Sequence, residues 1–543
     1  MVRSAEALRP TNLSVISMPG ASSACSPGSS TRTRGSPRLP ARPTVTNPVS
    51  SRCAGRALRP IARPSRFPRR PIRDRLSPSI VLSDRFGCHG RLLFGGTCLD
   101  PLERETQLRE RVLGLTKHGL RPAQVVLCPD TPVIEPVVMN LALMRVGAAL
   151  LPYRTGLDPS ALLALAAATG AEWRWSPESE TLIPTGLPIG VATGNASPGT
   201  GTSASELALL LKTSGSSGGP KVVMLTRHNL LASAAAVNRR LGFGSGDLWL
   251  CCLRLSHIGG LAIIHRWALA GASLILHEGF DAQAVAEDLQ RYAVTHISLV
   301  PPMLGRLLES GAAPPPSLRV VLVGGQALNP VLAERALLAG WPLFLTYGMT
   351  ETASQIATSA CSLERVPCDG RVGPLLPDVE IDRHDGRDGP SRLRVRGPML
   401  MAGYANPGRR PGQGLKEGWF ETSDLGGLDA EGDLRVVGRA DDVLVIGGNN
   451  ISLTRVDELL RAAPGVSDLA VVALDDATWG HRLVVVYSGD LDEQAFERWC
   501  DGALSGAERP RAFKRVAGLP LLDSGKYDRI AIRAFALESV SGP

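Results

Sequence analysis

Six short, almost unbroken apolar runs constrain this chain more than any other feature: QVVLCPD (residues 124–130), ELALLLKTS (206–214), LWLCCLRL (248–255), ASLILHE (272–278), THISLVP (295–301) and LRVVLVGG (318–325). A strand with one solvated face alternates polar and apolar residues. Continuous apolar character needs cover on both faces, which is the condition inside a parallel sheet. Segments of helical length separate the runs, among them residues 229–241 and 281–292. That alternation predicts an α/β fold whose parallel strands are joined by crossover helices. From about residue 377 the texture changes, and VEIDRHDG, RLRVRG and DLRVVGR predict hairpins of a small β unit, with Gly and Asp at the turns. A new α+β pattern follows GRADDVLVIGG. No internal repeat is visible.

At 543 residues the chain exceeds a single ordinary core. With 44% apolar and 20% charged residues it has the composition of a globular enzyme, and no apolar run approaches the roughly 18 residues of a membrane helix. The net charge of +8 is uneven. Residues 1–80 hold fifteen arginines against Glu6 and Asp74, a local +13, so the remainder carries −5. The basic excess therefore belongs to the leader, and no nucleic-acid surface is expected. The leader is rich in Arg, Pro and Ser and too poor in apolar residues to offset its ordering entropy, so disorder is expected there. Three readings of it stand side by side: an organelle transit peptide, a basic tail, or an extension from a misplaced start codon. The ten cysteines form no CxxC pair, which points to reduced thiols and a cytosolic compartment, or a plastid if the leader is a transit peptide.

TSGSSGGPK (residues 213–221) carries the first chemistry. Its glycines permit positive φ and let backbone N–H groups converge on an anion. Thr213, Ser214, Ser216 and Ser217 add hydroxyls, and Lys221 adds a charge. The loop is not a Walker A motif, because Pro220 precedes the lysine and Val222 follows it. The run before it and the helix expected from Arg227 place it at a strand-to-helix junction, where phosphate loops sit; the alternative is a surface turn. The preceding Gly/Ser/Thr-rich segment, residues 186–205, reads as a loop.

Three further motifs follow in order: TYGMTETASQIAT (residues 346–358), GWFETSDLGGLDAEGDLRVVGRADD (418–442) and LPLLDSGKYDR (519–529). Together the four resemble the adenylate-forming superfamily of acyl-CoA synthetases, luciferases and adenylation domains, across roughly residue 85 to the C-terminus. The resemblance implies a large body over residues 82–440, built of two α/β subdomains and a small β-barrel-like unit. A smaller, mobile α+β lid follows over residues 441–543. It also implies ATP, Mg²⁺ and coenzyme A as cofactors or co-substrates. Thr213, Ser214, Gly215, Ser216, Ser217, Gly218 and Lys221 would hold phosphates, and Gly325, Gln326, Ala327 and Tyr347 would line the nucleotide site. Thr350 would hold the α-phosphate and Glu351 would support Mg²⁺, for which one glutamate with substrate phosphate oxygens suffices. Asp424 and Arg439 would face the ribose, Asp441 would be the hinge, and Lys526 the catalytic ammonium. Gly447 and Gly448 would line a coenzyme A tunnel, their missing side chains leaving room. The DAEG segment, residues 429–432, also reads as a plain hairpin turn.

The acid is addressed by LSHIGGL (residues 255–261), HRW (265–267) and THISLVPPML (295–304). His257 resembles the histidine that gates the acyl pocket; the alternative is a satisfied core histidine. Arg266 stands in an otherwise apolar helix, where a buried charge is costly unless paired; the alternative is a snorkelling surface arginine. With TETASQIAT, these stretches resemble the o-succinylbenzoate–CoA ligase family most. That resemblance implies that Arg266 and Ser298 hold the aromatic carboxylate while the succinyl carboxylate reacts, with His257, Gly348 and Met349 around the acyl group. Departures from the pattern stand at Val223, Ser423, Leu453 and Arg455, and none removes Lys221, Asp424, Arg439 or Lys526. The expected partners are a small carboxylic acid, ATP and coenzyme A, with no transmembrane segment; the oligomeric state stays open. Another aryl- or fatty-acyl-CoA ligase, a carrier-loading adenylation domain and a nucleotide-binding regulator without catalysis are the rival readings.

Overall fold

The computed structural model describes residues 90–186, 206–213, 221–364, 366, 370–383, 391–406, 408–476, 478–504, 506–522 and 525–539. All of them belong to the compact unit Pro78–Pro543. The leader, residues 187–205 of the expected loop and residues 214–220 of the candidate phosphate loop lie outside the described residues.

Among the described residues, the eight-stranded sheet runs in the order Ser354–Ala360, Leu343–Met349, Val320–Val323, His296–Leu299, Leu248–Cys251, Ser273–Leu276, Leu92–Phe94 and Thr97–Leu99. Its six inner strands are parallel, and one antiparallel strand closes each edge. The seven-stranded sheet runs Gly403–Tyr404, Lys221–Thr226, Leu207–Thr213, Ala149–Tyr153, Val125–Pro129, Trp173–Ser176 and Thr181–Pro184. All six apolar runs are strands of these two sheets, and the helices between them cover their faces. Ile258–Ala270 is one such helix, burying Leu261, Ile263, Ile264 and Trp267 in the largest core cluster. Local chemistry sets the helix ends. Thr226 and Asn229 form a capping box that starts Arg227–Leu241, and Gly242, at φ +64°, stops it.

The structure corrects one expectation. Lys221–Thr226 is a strand, paired antiparallel with Leu207–Thr213, so the candidate phosphate loop joins two strands of a hairpin and not a strand to a helix. The run Val222–Leu225 is buried throughout and completes the sheet before the helix begins. The helix N-terminus is consequently occupied by its own capping box, and its dipole is one strand away from the loop.

The predicted β unit is a five-stranded antiparallel sheet in the order Arg371–Pro374, Asp433–Arg439, Phe420–Leu428, Ser391–Arg396 and Glu380–Arg383. Asp429 and Gly432 close its DAEG turn, Gly432 N–H donating to Asp429 O at 3.0 Å. Beyond the turn Ala440–Asp442, a two-stranded hairpin and a three-stranded sheet enclose a separate core built around Val456, Leu460, Val485, Tyr487 and Phe496. Cys98, Cys128, Cys251, Cys252, Cys361 and Cys500 are free thiols. Among the described residues no helix is long and apolar enough to cross a membrane.

Candidate active site

The strand Leu343–Met349 carries the first group of site residues. It bulges between Tyr347 and Gly348, turns once through the 3₁₀ segment Thr350–Thr352, and returns as Ser354–Ala360. Gly348 is obligatory there: a Cβ would stand 2.1 Å from Ser354 O. The Thr352 hydroxyl ties the turn, accepting from Met349 N at 3.1 Å and donating to Ser354 O at 2.7 Å. Tyr347 Oη donates to Asp424 Oδ2 at 2.5 Å. Burial, and then the Asp424 charge, push the Tyr347 phenol well above its usual pKa, so it keeps its proton. Asp424 pairs in register with Arg439 across adjacent strands, and their side chains lie 4.0 Å apart. Arg439 also reaches Asp441, at 3.5 Å. Tyr347, Asp424 and Arg439 thus converge, and Asp441 lies exposed on the turn beside them.

The second group comes from the far end of the chain. A Cβ on Gly325, whose φ is +82°, would stand 3.3 Å from Lys526 Cε and 4.0 Å from its Nζ. Gln326 Nε2 donates to Gly525 O at 3.4 Å, and a Cβ on Gly525 would press on Val300 and Met303 at 2.7 and 2.9 Å. The lysine turn therefore docks on the loop that leaves Val320–Val323; Ala327 is exposed on that loop. Lys526 keeps an exposed surface, yet the protein crowding its ammonium, and then Arg439, lower its pKa below the ordinary lysine value. Its neighbour Tyr527 is anchored behind it, the hydroxyl donating to Asp468 at 2.7 Å, where Arg461 also binds at 2.7 Å. A cleft of about 840 Å³ opens beside this turn, bounded by Arg254, His277, Phe280, Met303, Arg306 and Gly525. Tyr347, Asp424 and Arg266 do not line it.

Ser214, Gly215, Ser216, Ser217 and Gly218 lie outside the described residues, but both ends of their loop are placed. Thr213 faces Lys221 across the hairpin, its hydroxyl donating to Lys221 O at 3.3 Å. The Lys221 ammonium lies 5.1 Å from the centroid of the Tyr404 ring, and the Tyr404 hydroxyl donates to Glu351 Oε1 at 2.9 Å. Lys221 and Glu351 are so joined through one tyrosine. No spacing in the sequence signals Tyr404; it is found only because Gly403–Tyr404 adds to the edge of the seven-stranded sheet.

Arg266 is 2% exposed, which excludes the surface alternative. Its Nη2 donates to Ser354 Oγ at 2.7 Å and Gln355 Oε1 at 3.1 Å, and its guanidinium lies 5.4 Å from the centroid of the Trp249 ring. Among the described residues no acidic side chain pairs with it, and its Nε has no partner. Burial pulls the guanidinium down to about 9, still a cation at neutral pH. Ser298, 5% exposed, also has a hydroxyl without a partner. It lies two residues from His296, which pairs with Trp249 across the sheet, so these side chains share one face. Neighbouring His265 behaves as a core residue, bonded to Asn140 at 3.2 Å and pushed down to about 3 by burial. His257 stands exposed at the start of Ile258–Ala270, which excludes the core-histidine alternative. Met349 and Gly348 are half-buried on the adjoining strand.

Gly447 and Gly448 form the two-residue turn between Val443–Ile446 and Asn449–Ser452, at φ +56° and +83°. That geometry belongs to a type I′ hairpin and selects glycine. The absent Gly447 side chain makes room for Trp479, whose ring carbons would lie 2.6 and 3.0 Å from a Cβ. In this arrangement the indole fills the space beside Gly447, while a Cβ on Gly448 would meet nothing within 4 Å.

The AMP-binding enzyme family model matches residues 113–405, just over half of the chain. A 2-succinylbenzoate–CoA ligase from Bacillus mycoides is 35% identical over 342 residues, covering 61% of this chain and 71% of that relative. Another from Bacillus licheniformis is 34% identical over 332 residues, covering 60% and 69%. The solved o-succinylbenzoate CoA synthetase of Bacillus subtilis, in complex with its acyl-adenylate intermediate, is similar with a TM-score of 0.69 and 26% identity, covering 82% of this chain and 95% of that one. ATP-bound MatB from Rhodopseudomonas palustris, with a TM-score of 0.72 and 23% identity, shares the fold.

Proposed function

The chain belongs to the AMP-binding enzyme family, and we propose that it is an ATP-dependent ligase that joins 2-succinylbenzoate to coenzyme A with release of AMP and pyrophosphate. One observation carries the choice of acid: Arg266 is a buried cation without an acidic partner, and its Nε is left unbonded. A buried charge is stable only when paired. A substrate bearing a second carboxylate, remote from the reacting one, would pair it, and the unpartnered Ser298 hydroxyl would donate to the same group. A fatty acid would leave both unsatisfied.

In this reading the succinyl carboxylate attacks the α-phosphorus of ATP, the bond to the β-phosphate oxygen breaks, and acyl-AMP and pyrophosphate form. Asp424 accepts from the ribose hydroxyls, oriented by Tyr347, and Arg439 sits beside it. Thr350 bonds the α-phosphate, while Thr213, Lys221 and the loop between them hold the outer phosphates. Lys526 places its ammonium where negative charge accumulates in the transition state. Glu351 suits a Mg²⁺ site: Tyr404 occupies Oε1 only, and no group of three metal-ligating side chains exists among the described residues. That fits an ion which takes one or two carboxylates and completes its shell from phosphate oxygens. When bound, Mg²⁺ neutralises phosphate charge. In the second step the thiol of coenzyme A attacks the acyl carbon and AMP leaves. We assign residues 441–543 as the lid and Asp441 as its hinge: turning there withdraws Lys526 and opens the adenylate to the second nucleophile. We assign His257, exposed at the head of its helix, as the gate of the acyl pocket.

The test is pyrophosphate release by the full chain with 2-succinylbenzoate, benzoates and fatty acids, with the thioester identified by mass spectrometry. Strong preference for 2-succinylbenzoate is expected; fatty acids winning by a wide margin would refute the substrate assignment. A pH prediction follows from Lys526. Its ammonium is the active form, and its pKa is lowered, by crowding first and Arg439 second. The kcat/KM for pyrophosphate release should therefore fall as pH rises, starting below the ordinary lysine value of about 10.4. Lys526→Arg, which stays charged, should displace that alkaline limb upward. An unmoved limb would assign the titration to another group.

A further inference from the structure

We propose that Tyr404 is a positioning residue of the triphosphate site: its hydroxyl orients the Glu351 carboxylate while its ring seats the Lys221 ammonium. The inference rests on the reading of Glu351 as the Mg²⁺ holder. Three observations show that the seat is built. First, the segment carrying Tyr404 holds Glu351 twice, through the Tyr404 hydroxyl at 2.9 Å and through Met401 N–H donating to Glu351 O at 2.8 Å. Second, the buried ring lies where only glycine is tolerated opposite: Gly414 has φ +87°, and a Cβ there would stand 2.5 Å from Tyr404 Cδ2. Third, Tyr404 pairs in register with Val223, two residues beyond Lys221 on the strand that leaves the phosphate loop. The ring, 5.1 Å from the lysine, is thereby fixed to the strand that carries Lys221.

The chemistry requires such a device. Mg²⁺ demands near-ideal octahedral geometry and dehydrates reluctantly, so a single protein carboxylate must be aimed before the ion arrives. Outer-shell hydrogen bonds do that aiming, and their loss typically costs about 10–100-fold in metal affinity. An ammonium over a tyrosine face is a weaker, directional contact, which keeps Lys221 near its loop without neutralising it.

Calorimetric titration of the full chain with ATP, in Mg²⁺ and in EDTA and without acid substrate, separates the two contacts without turnover. The ratio of the two affinities is the metal-dependent increment. Tyr404→Phe keeps the ring and should reduce that increment about tenfold, leaving ATP affinity in EDTA unchanged. Tyr404→Leu should also weaken binding in EDTA, because Lys221 loses its seat. A Tyr404→Phe increment equal to that of the unmodified chain overturns the proposal. So does an equal loss with and without metal, the signature of a purely structural role. If the unmodified chain shows no increment, the Glu351 assignment falls and this inference with it. Acid-dependent pyrophosphate release, measured separately, then shows whether the enzymatic reading survives.

Discussion

Lys526→Ala is expected to slow pyrophosphate release from acid and ATP by about 10²–10³-fold, the usual cost of removing one preorganised group from a developing negative charge. The ammonium stands at the mouth of the loop that follows Val320–Val323, beside Gly325, and the charge of Arg439 acts on it. Its side chain keeps an exposed surface, so truncation removes charge without opening a cavity. The fold should persist because the turn is anchored by other contacts, Tyr527 on Asp468 and Gly525 against Val300 and Met303. If the lid withdraws this lysine before thioester formation, the second step should be spared. Presenting pre-formed 2-succinylbenzoyl-AMP and coenzyme A to the variant checks that, and thioester should form at close to the normal rate. Undiminished pyrophosphate release would remove Lys526 from the mechanism.

Arg266→Met should lower kcat/KM for 2-succinylbenzoate by roughly thirty-fold to several-thousand-fold, since truncating one partner of a buried charge pair costs about 2–5 kcal/mol. Methionine fills much of the volume against Trp249 while leaving Ser354 and Gln355 without their donor. Some stability is lost with those bonds, so one rate alone does not isolate the effect. A second acid resolves it: 4-oxo-4-phenylbutanoate carries the reacting carboxylate and lacks the aromatic one. The variant's ratio of kcat/KM for the two acids should collapse toward unity, and loss of folded protein cancels from that ratio. A ratio as large as in the unmodified chain would mean that Arg266 serves packing alone.

Much of the scaffold was legible because the cues are local. Unbroken apolar runs imply two-sided burial, and each of the six is a strand. The N-terminal region carries local cues of the same kind. Asp100, Pro101 and Glu103 form a capping box and helix start for Pro101–Lys117, and Asp158 with Pro159 starts Pro159–Thr169. The strand Lys221–Thr226 is not legible because a short strand running straight into a capped helix resembles a longer loop. The glycine pair at 447–448 is not decided by the sequence for a different reason. A missing side chain reads equally as space for a ligand, a positive φ or room for a neighbour; Trp479 takes the room at Gly447, and the space beside Gly448 stays open.

By itself the sequence determined most of the strands and helices, their order, and which side chains are candidates for phosphate-, metal- and carboxylate-binding chemistry, because periodicity, caps and motif spacing are properties of neighbours in the chain. Tertiary structure alone decided that Lys526 meets Gly325, that Tyr404 joins Glu351 to Lys221, and that Arg266 is buried with an unbonded Nε. Those contacts link residues far apart in the chain. Strand order and the docking of the last turn set them, and neither leaves a local trace in the residues that meet.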